Sequence, residues 1–162
     1  MAVLPTSEQL ERLGQLQHAQ FPNTPDVEEY HVHLEEEISV AAAEMQRMIP
    51  THWTSADANI QQIITRAIAY RALGSLWQEI KATMDGYDAE ALPPEYVDPE
   101  QAAENRNYYH KRSKELVAAI ETNPSADPSF VMPAFDSAGL DQDSEYTTGP
   151  IRRWADTGIR GE

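Results

Sequence analysis

The sequence predicts an all-α protein: an up-and-down helical bundle of about four helices with a long extended C-terminal tail. Three observations carry this prediction. Apolar residues recur at three- and four-residue steps through four segments before residue 122. Each segment is bracketed by stop chemistry: Pro22, Pro50, Asp85-Gly86 and Pro124 close them in turn. Beyond residue 122 no helical or alternating period is long enough to make an element. The chain therefore divides into a helical bundle over 1–122 and a docking tail over 123–162. Its 162 residues fit one domain. A domain of that size buries roughly 70% of its unfolded surface and needs no disulfide or metal to fold.

Residues 1–6 read as an arm. Ser7 is the expected cap of a first helix over roughly 8–20, with Leu10, Leu13 and Leu16 at helical spacing. Phe21-Pro22-Asn23 ends it, because the residue before proline is pushed out of the α region. Thr24 as cap and Pro25 at the first helical position start a second helix over about 25–49. Asp26, Glu28 and Glu29 then fall in the first turn, where the helix dipole favours acids. Val27, Tyr30, Leu34, Ile38, Ala41, Met45 and Met48 form its inward stripe. Thr54 or Ser55 caps a third helix over about 56–84. Ile60, Ile63, Ile64, Ala67, Ile68, Leu76, Trp77, Ile80 and Met84 make this the most apolar element, hence the central one. Its small residues Ala67, Ala69, Ala72 and Gly74 leave room for close helix approach. Asp98-Pro99-Glu100-Gln101 opens a fourth helix over about 99–122, with Ala102, Tyr109, Leu116 and Ile120 inward.

Charge narrows the function. There are 27 acids against 12 bases, a net charge of -15. The densest basic run, Arg106 to Lys114, holds four bases, so nucleic-acid phosphates meet repulsion over most of the surface. Lys81, Lys111 and Lys114 are the only lysines. An acid-rich, lysine-poor surface is what a salty cytoplasm would select, where ions screen self-repulsion, but an ordinary acidic protein is the simpler reading. No apolar run reaches the ~18 residues of a membrane span, so no membrane is expected. The absence of cysteine excludes disulfides, thiolate metal sites and a cysteine nucleophile.

Catalytic patterns are incomplete. A di-metal carboxylate bundle needs two Glu-x-x-His pairs on facing helices. Glu28 and His31 make one, but the fourth helix offers Asn107 and His110 instead. His31 and His33 are two residues apart and so diverge on a helix, while His33 and Glu37 share a face without completing a metal's ligand set. The Asp85/Asp88 and Glu95/Asp98 pairs read as turn and cap residues. Tyr108-Tyr109-His110-Lys111-Arg112 interleaves rings with bases as single-strand binders do, but within a helix it reads as a core Tyr109 beside an outer face of Lys111, Arg112 and Lys114. No catalytic residue, metal or cofactor is therefore expected.

The tail carries the interaction signal. Phe130, Phe135, Tyr146, Ile151 and Trp154 stand as spaced apolar anchors in a polar stretch. Arg152 and Arg153 precede Trp154, joining the residue types enriched at interface hot spots. These seven residues are the candidate partner-binding set.

The third helix, Ile63-Ile64-Thr65-Arg66-Ala67-Ile68-Ala69-Tyr70-Arg71-Ala72-Leu73-Gly74-Ser75-Leu76-Trp77, resembles the central helix of head–tail adaptor proteins. These are the head-completion or connector proteins of tailed bacteriophages and archaeal tailed viruses. The resemblance implies an all-α bundle with extended arms, assembled as a homo-oligomeric ring, typically a dodecamer. It implies portal protein and neck or tail proteins as partners, and a place in the virion neck after synthesis in the host cytoplasm. Viral DNA would pass through the channel without sequence-specific binding. The family carries no catalytic motif, so no active-site residue transfers. Two other classes stay open: a small metal-bundle enzyme, and a cytoplasmic helical interaction or regulatory module with an acidic surface.

Overall fold

A computed structural model describes residues 3–87, 93, 96 and 98–122. Its α-helices are α1 (Ser7–Gly14), α2 (Val27–Met48), α3 (Ala58–Met84) and α4 (Pro99–Thr122), with a 3-10 turn at His18–Gln20. There is no strand among the described residues. The chain is an all-α bundle. The predicted tail 123–162 lies outside the described residues.

Local chemistry moved three helix starts from their expected places. Thr6 caps α1 instead of Ser7: its Oγ1 accepts from the Gln9 N–H at 3.2 Å, and Gln9 Oε1 accepts from the Thr6 N–H at 3.0 Å. That reciprocal box turns Ser7 into the buried first helical residue. α1 also stops at Gly14 rather than near residue 20. Gln15 takes a left-handed conformation (φ 50°), and the Leu16 N–H returns to the Glu11 carbonyl at 3.0 Å. α2 is capped by Asp26, whose Oδ1 accepts from the Glu29 N–H at 2.8 Å. Thr24 is occupied elsewhere, its hydroxyl donating to the Phe21 carbonyl at 2.7 Å. α3 is capped by Asp57, which accepts from the Asn59 N–H at 2.8 Å, while Ser55 Oγ accepts from the Asp57 N–H. The fourth start holds as read, with Asp98 Oδ1 accepting from the Glu100 N–H at 2.7 Å. Gln101 does not complete that cap; its amide reaches Asn105 Oδ1 at 3.1 Å.

Packing fixes the topology. His33 meets Glu79 and Glu44 meets Arg71, so rising numbers on α2 pair with falling numbers on α3. Arg106 meets Gln78, and Ser113 meets Ala67, which gives α3 and α4 the same antiparallel sense. α2, α3 and α4 therefore run up, down and up. The N-terminal segment touches all three, through Ser7 with Glu35, Val3 with Thr65, and Leu13 with Tyr109.

The central helix is the expected one. Every residue from Ile63 to Tyr70 on α3 is buried, as are Leu73, Leu76, Trp77 and Ile80. A helix buried all round has no amphipathic stripe, and α3 has none. On α2 the inner residues Tyr30, Leu34, Ile38, Ala41 and Met45 are buried as read. Val27 and Met48, expected at the ends of that stripe, are 57% and 48% exposed. Both keep the stripe's angle at about 100° per residue, so their exposure comes from standing at the first and last positions of α2. On α4, Ala102, Tyr109, Leu116 and Ile120 all point inward.

Candidate functional site

The seven tail residues singled out from the sequence, Phe130, Phe135, Tyr146, Ile151, Arg152, Arg153 and Trp154, lie outside the described residues. What the bundle itself offers is polar chemistry at three places.

The first is a seam across all three long helices. Arg71 on α3 donates from Nε to Glu44 Oε2 on α2 at 2.6 Å, and its Nη1 lies 3.2 Å from His110 Nδ1 on α4. A guanidinium has no acceptor, so the close nitrogen of His110 is the lone-pair side. Burial lowers the His110 pKa first, and Arg71, Lys114 and Arg106 lower it further against a smaller opposing pull from Glu44. The seam therefore needs a neutral imidazole. His110 also sits against Gly74, where an added Cβ would meet ring atoms Cε1 and Nδ1 at 2.6 Å. The absence of a Cβ at Gly74 is what admits the ring at this approach.

The second place is a cation–phenol cluster on the next turns. Arg66 is buried in the middle of α3, beside Tyr70 and Tyr108. Burial drives the Tyr70 hydroxyl up to about 12, with Arg66 pulling against it, so the ring stays neutral. Arg112 donates to Glu115 Oε2 at 2.8 Å on the cluster's outer side. Tyr109 closes it below: its ring lies 5.8 Å from Tyr70 and its hydroxyl donates to the Leu13 carbonyl at 3.1 Å. Sequence reasoning passed over Arg66. The available signal was a lone charge inside an otherwise apolar run, because a buried arginine must be met by neighbours that repay its lost hydration.

The third place is the outward side of α2. Asp26, Glu28, Glu29, Val32, His33 and Glu36 line a groove of about 470 Å³ at the helix's N-terminal end. Glu28, Glu29 and Glu36 are all exposed. Glu37 turns toward α3. Burial raises its pKa, partly offset by His33, while Glu79, Glu44 and Glu36 raise it again.

The candidate metal ligands are dispersed. His33 Nε2 lies 2.8 Å from Glu79 Oε2, and its ring meets Phe21 edge-on at 5.7 Å. The His31 ring lies 5.3 Å from Tyr30 at a tilt of 54°, and His110 belongs to the Arg71 seam. No three histidine or carboxylate groups among the described residues converge as metal ligands. Of the loop acids, Asp85 binds Lys81 Nζ at 2.6 Å and Asp98 caps α4, while Asp88 and Glu95 fall outside the described residues. No helix among the described residues is long and apolar enough to cross a membrane. Compared with family models, curated proteins and solved structures, the chain gives no match.

Proposed function

We propose that this chain is a structural virion protein, a head–tail adaptor that forms a ring between the capsid portal and the neck or tail. The observation that carries the reading is α3. It is a 27-residue helix, about 40 Å long, buried at every residue from Ile63 to Tyr70 and gripped at its small residues by α4. Ser113 Oγ donates to the Ala67 carbonyl at 3.0 Å, and the His110 ring packs on Gly74. Such a helix is a rigid strut, and rigidity is what a ring subunit requires. Its sequence is also the segment that resembles the adaptors' central helix. Acids on the outer face of α2 suit a wall beside passing DNA, since they repel phosphate.

The partners of this reading are the portal protein, neck or tail proteins, and further copies of the chain. The tail residues Phe130, Phe135, Tyr146, Ile151, Arg152, Arg153 and Trp154 would dock on them. The purified full chain, alone and mixed with the portal protein of the same genome, tests this by sedimentation and negative-stain microscopy. Rings, or capture on the portal, support the reading. A chain that stays monomeric and ignores the portal overturns it and favours a small acidic regulatory module.

A further inference from the structure

Three cations and one carboxylate surround the His110 ring. Arg71 faces it from α3 and Glu44 from α2, while Arg106 and Lys114 flank it one turn away on α4. The carboxylate is already committed, since Glu44 Oε2 accepts from Arg71 Nε at 2.6 Å. Arg106 donates to Gln78 Oε1 at 2.8 Å and to Asn107 Oδ1 at 3.0 Å, and these neutral amides hold it without offsetting its charge. An imidazolium here would be a fourth cation beside one occupied anion.

A proton on Nδ1 also removes the lone pair that Arg71 Nη1 approaches at 3.2 Å, and sets N–H against N–H. The guanidinium is anchored, because its Nε stays on Glu44. The imidazole is not: His110 is half-buried, so rotation of its own side chain reaches water and recovers its hydration. The ring atoms now packed on Gly74 would leave that glycine uncovered. We propose that His110 is an acid-operated latch between α3 and α4: the neutral ring is held on Gly74 by Arg71, and the protonated ring swings out to solvent and opens a pit floored by Gly74. Burial and the three cations make the folded site resist the proton, so the latch opens only below the ordinary imidazole value of 6.5. The opening is local. Ser113 with Ala67 on one side, and Arg106 with Gln78 on the other, keep α4 on α3 through groups that do not titrate in this range. The latch does not depend on the adaptor reading.

Gly74→Ala tests it, because the new methyl contests the place that the neutral ring holds and the charged ring vacates. Proton resonances of the His110 ring, identified by their loss in His110→Gln, are followed against pH in the full chain. They should titrate below 6.5, and the Gly74 amide and Arg71 Nε–H should shift with the same midpoint. Thermal unfolding is then compared at about pH 7.5 and about one unit below that midpoint, where the Tm deficit of Gly74→Ala should shrink by about half or more. By the same linkage, the His110 midpoint should rise in Gly74→Ala. Equal deficits at the two pH values, or an unchanged midpoint in the variant, mean that the charged ring still lies over position 74 and overturn the proposal. So does a Gly74 amide that stays still while His110 titrates in the native chain, a result that stands even if the variant fails to fold.

Discussion

Gly74→Ala should destabilise the bundle although it improves the helix. Replacing glycine by alanine inside an exposed helix gains about 1 kcal/mol, through backbone entropy. At Gly74 the new methyl would sit 2.6 Å from His110 Cε1 and Nδ1 and 2.9 Å from Cγ, closer than Cβ contacts come in folded proteins. The ring cannot swing aside freely, because its Nδ1 is engaged by Arg71, which is anchored by Glu44. Relief must come from parting α3 and α4, and forcing a methyl into a packed interface costs about 1–3 kcal/mol. With the propensity gain subtracted, the net loss is about 0–2 kcal/mol, or a Tm lower by up to roughly 8 °C for a domain of this size. Urea and thermal unfolding of Gly74→Ala, His110→Ala and the double variant form a cycle. In the His110→Ala background the ring is gone, so Gly74→Ala should turn stabilising. A higher Tm for Gly74→Ala in the otherwise native chain would refute the claim that the glycine exists to admit the imidazole.

His110 is held below its ordinary value of 6.5 in the folded chain, so on acidification the unfolded chain binds a proton that the folded chain refuses. Stability is therefore full above about pH 6.5 and falls as pH drops below it, and urea unfolding across that range should show His110→Gln flattening the decline. Glu37 acts in the opposite sense. Its raised pKa means that the folded chain keeps a proton above 4.5, and stability is lost as pH rises through that window, so Glu37→Gln should raise the Tm slightly at neutral pH. The triple change Glu35→Gln, Glu36→Gln and Glu37→Gln should leave a folded bundle by circular dichroism; unfolding would mean that Glu35, which accepts from Ser7, or the half-buried Glu37 carries a contact that the bundle needs. A strong chelator should leave the thermal midpoint unchanged, since the core is built from Leu, Ile, Met and Trp side chains, and a large drop would reveal a structural metal. Truncation after Glu121 should leave the bundle folded while ending capture by its partner, read by unfolding and co-sedimentation together.

The long helices were legible because each is written twice, once in its apolar period and once in its boundaries. α3 shows this most fully, with the densest apolar content of the four helices, interrupted by Arg66 and Arg71, and small residues where another helix comes close. The helix starts were less legible because several residues can cap, and the winner is decided by competition. Thr24 lost to Asp26 once its hydroxyl found the Phe21 carbonyl, and Ser7 lost to Thr6 once Gln9 could answer from three residues on. Neither outcome is visible in composition, since Thr, Ser and Asp all have the required oxygen. The interhelical chemistry was less legible still. Arg71 and His110 are 39 residues apart, and nothing local marks them as partners. Their meeting follows from antiparallel register, which places Gly74 opposite the imidazole and Ala67 opposite Ser113. Small residues on α3 were thus a sign of contact without naming the contacting group. The same logic explains why α2 divides in two functionally. Its inward stripe is set by the core, whereas Glu28, Glu29 and Glu36 add nothing to packing within the bundle and repel one another. That row is set by solvation and not by the core, and its mutual repulsion weakens as salt rises.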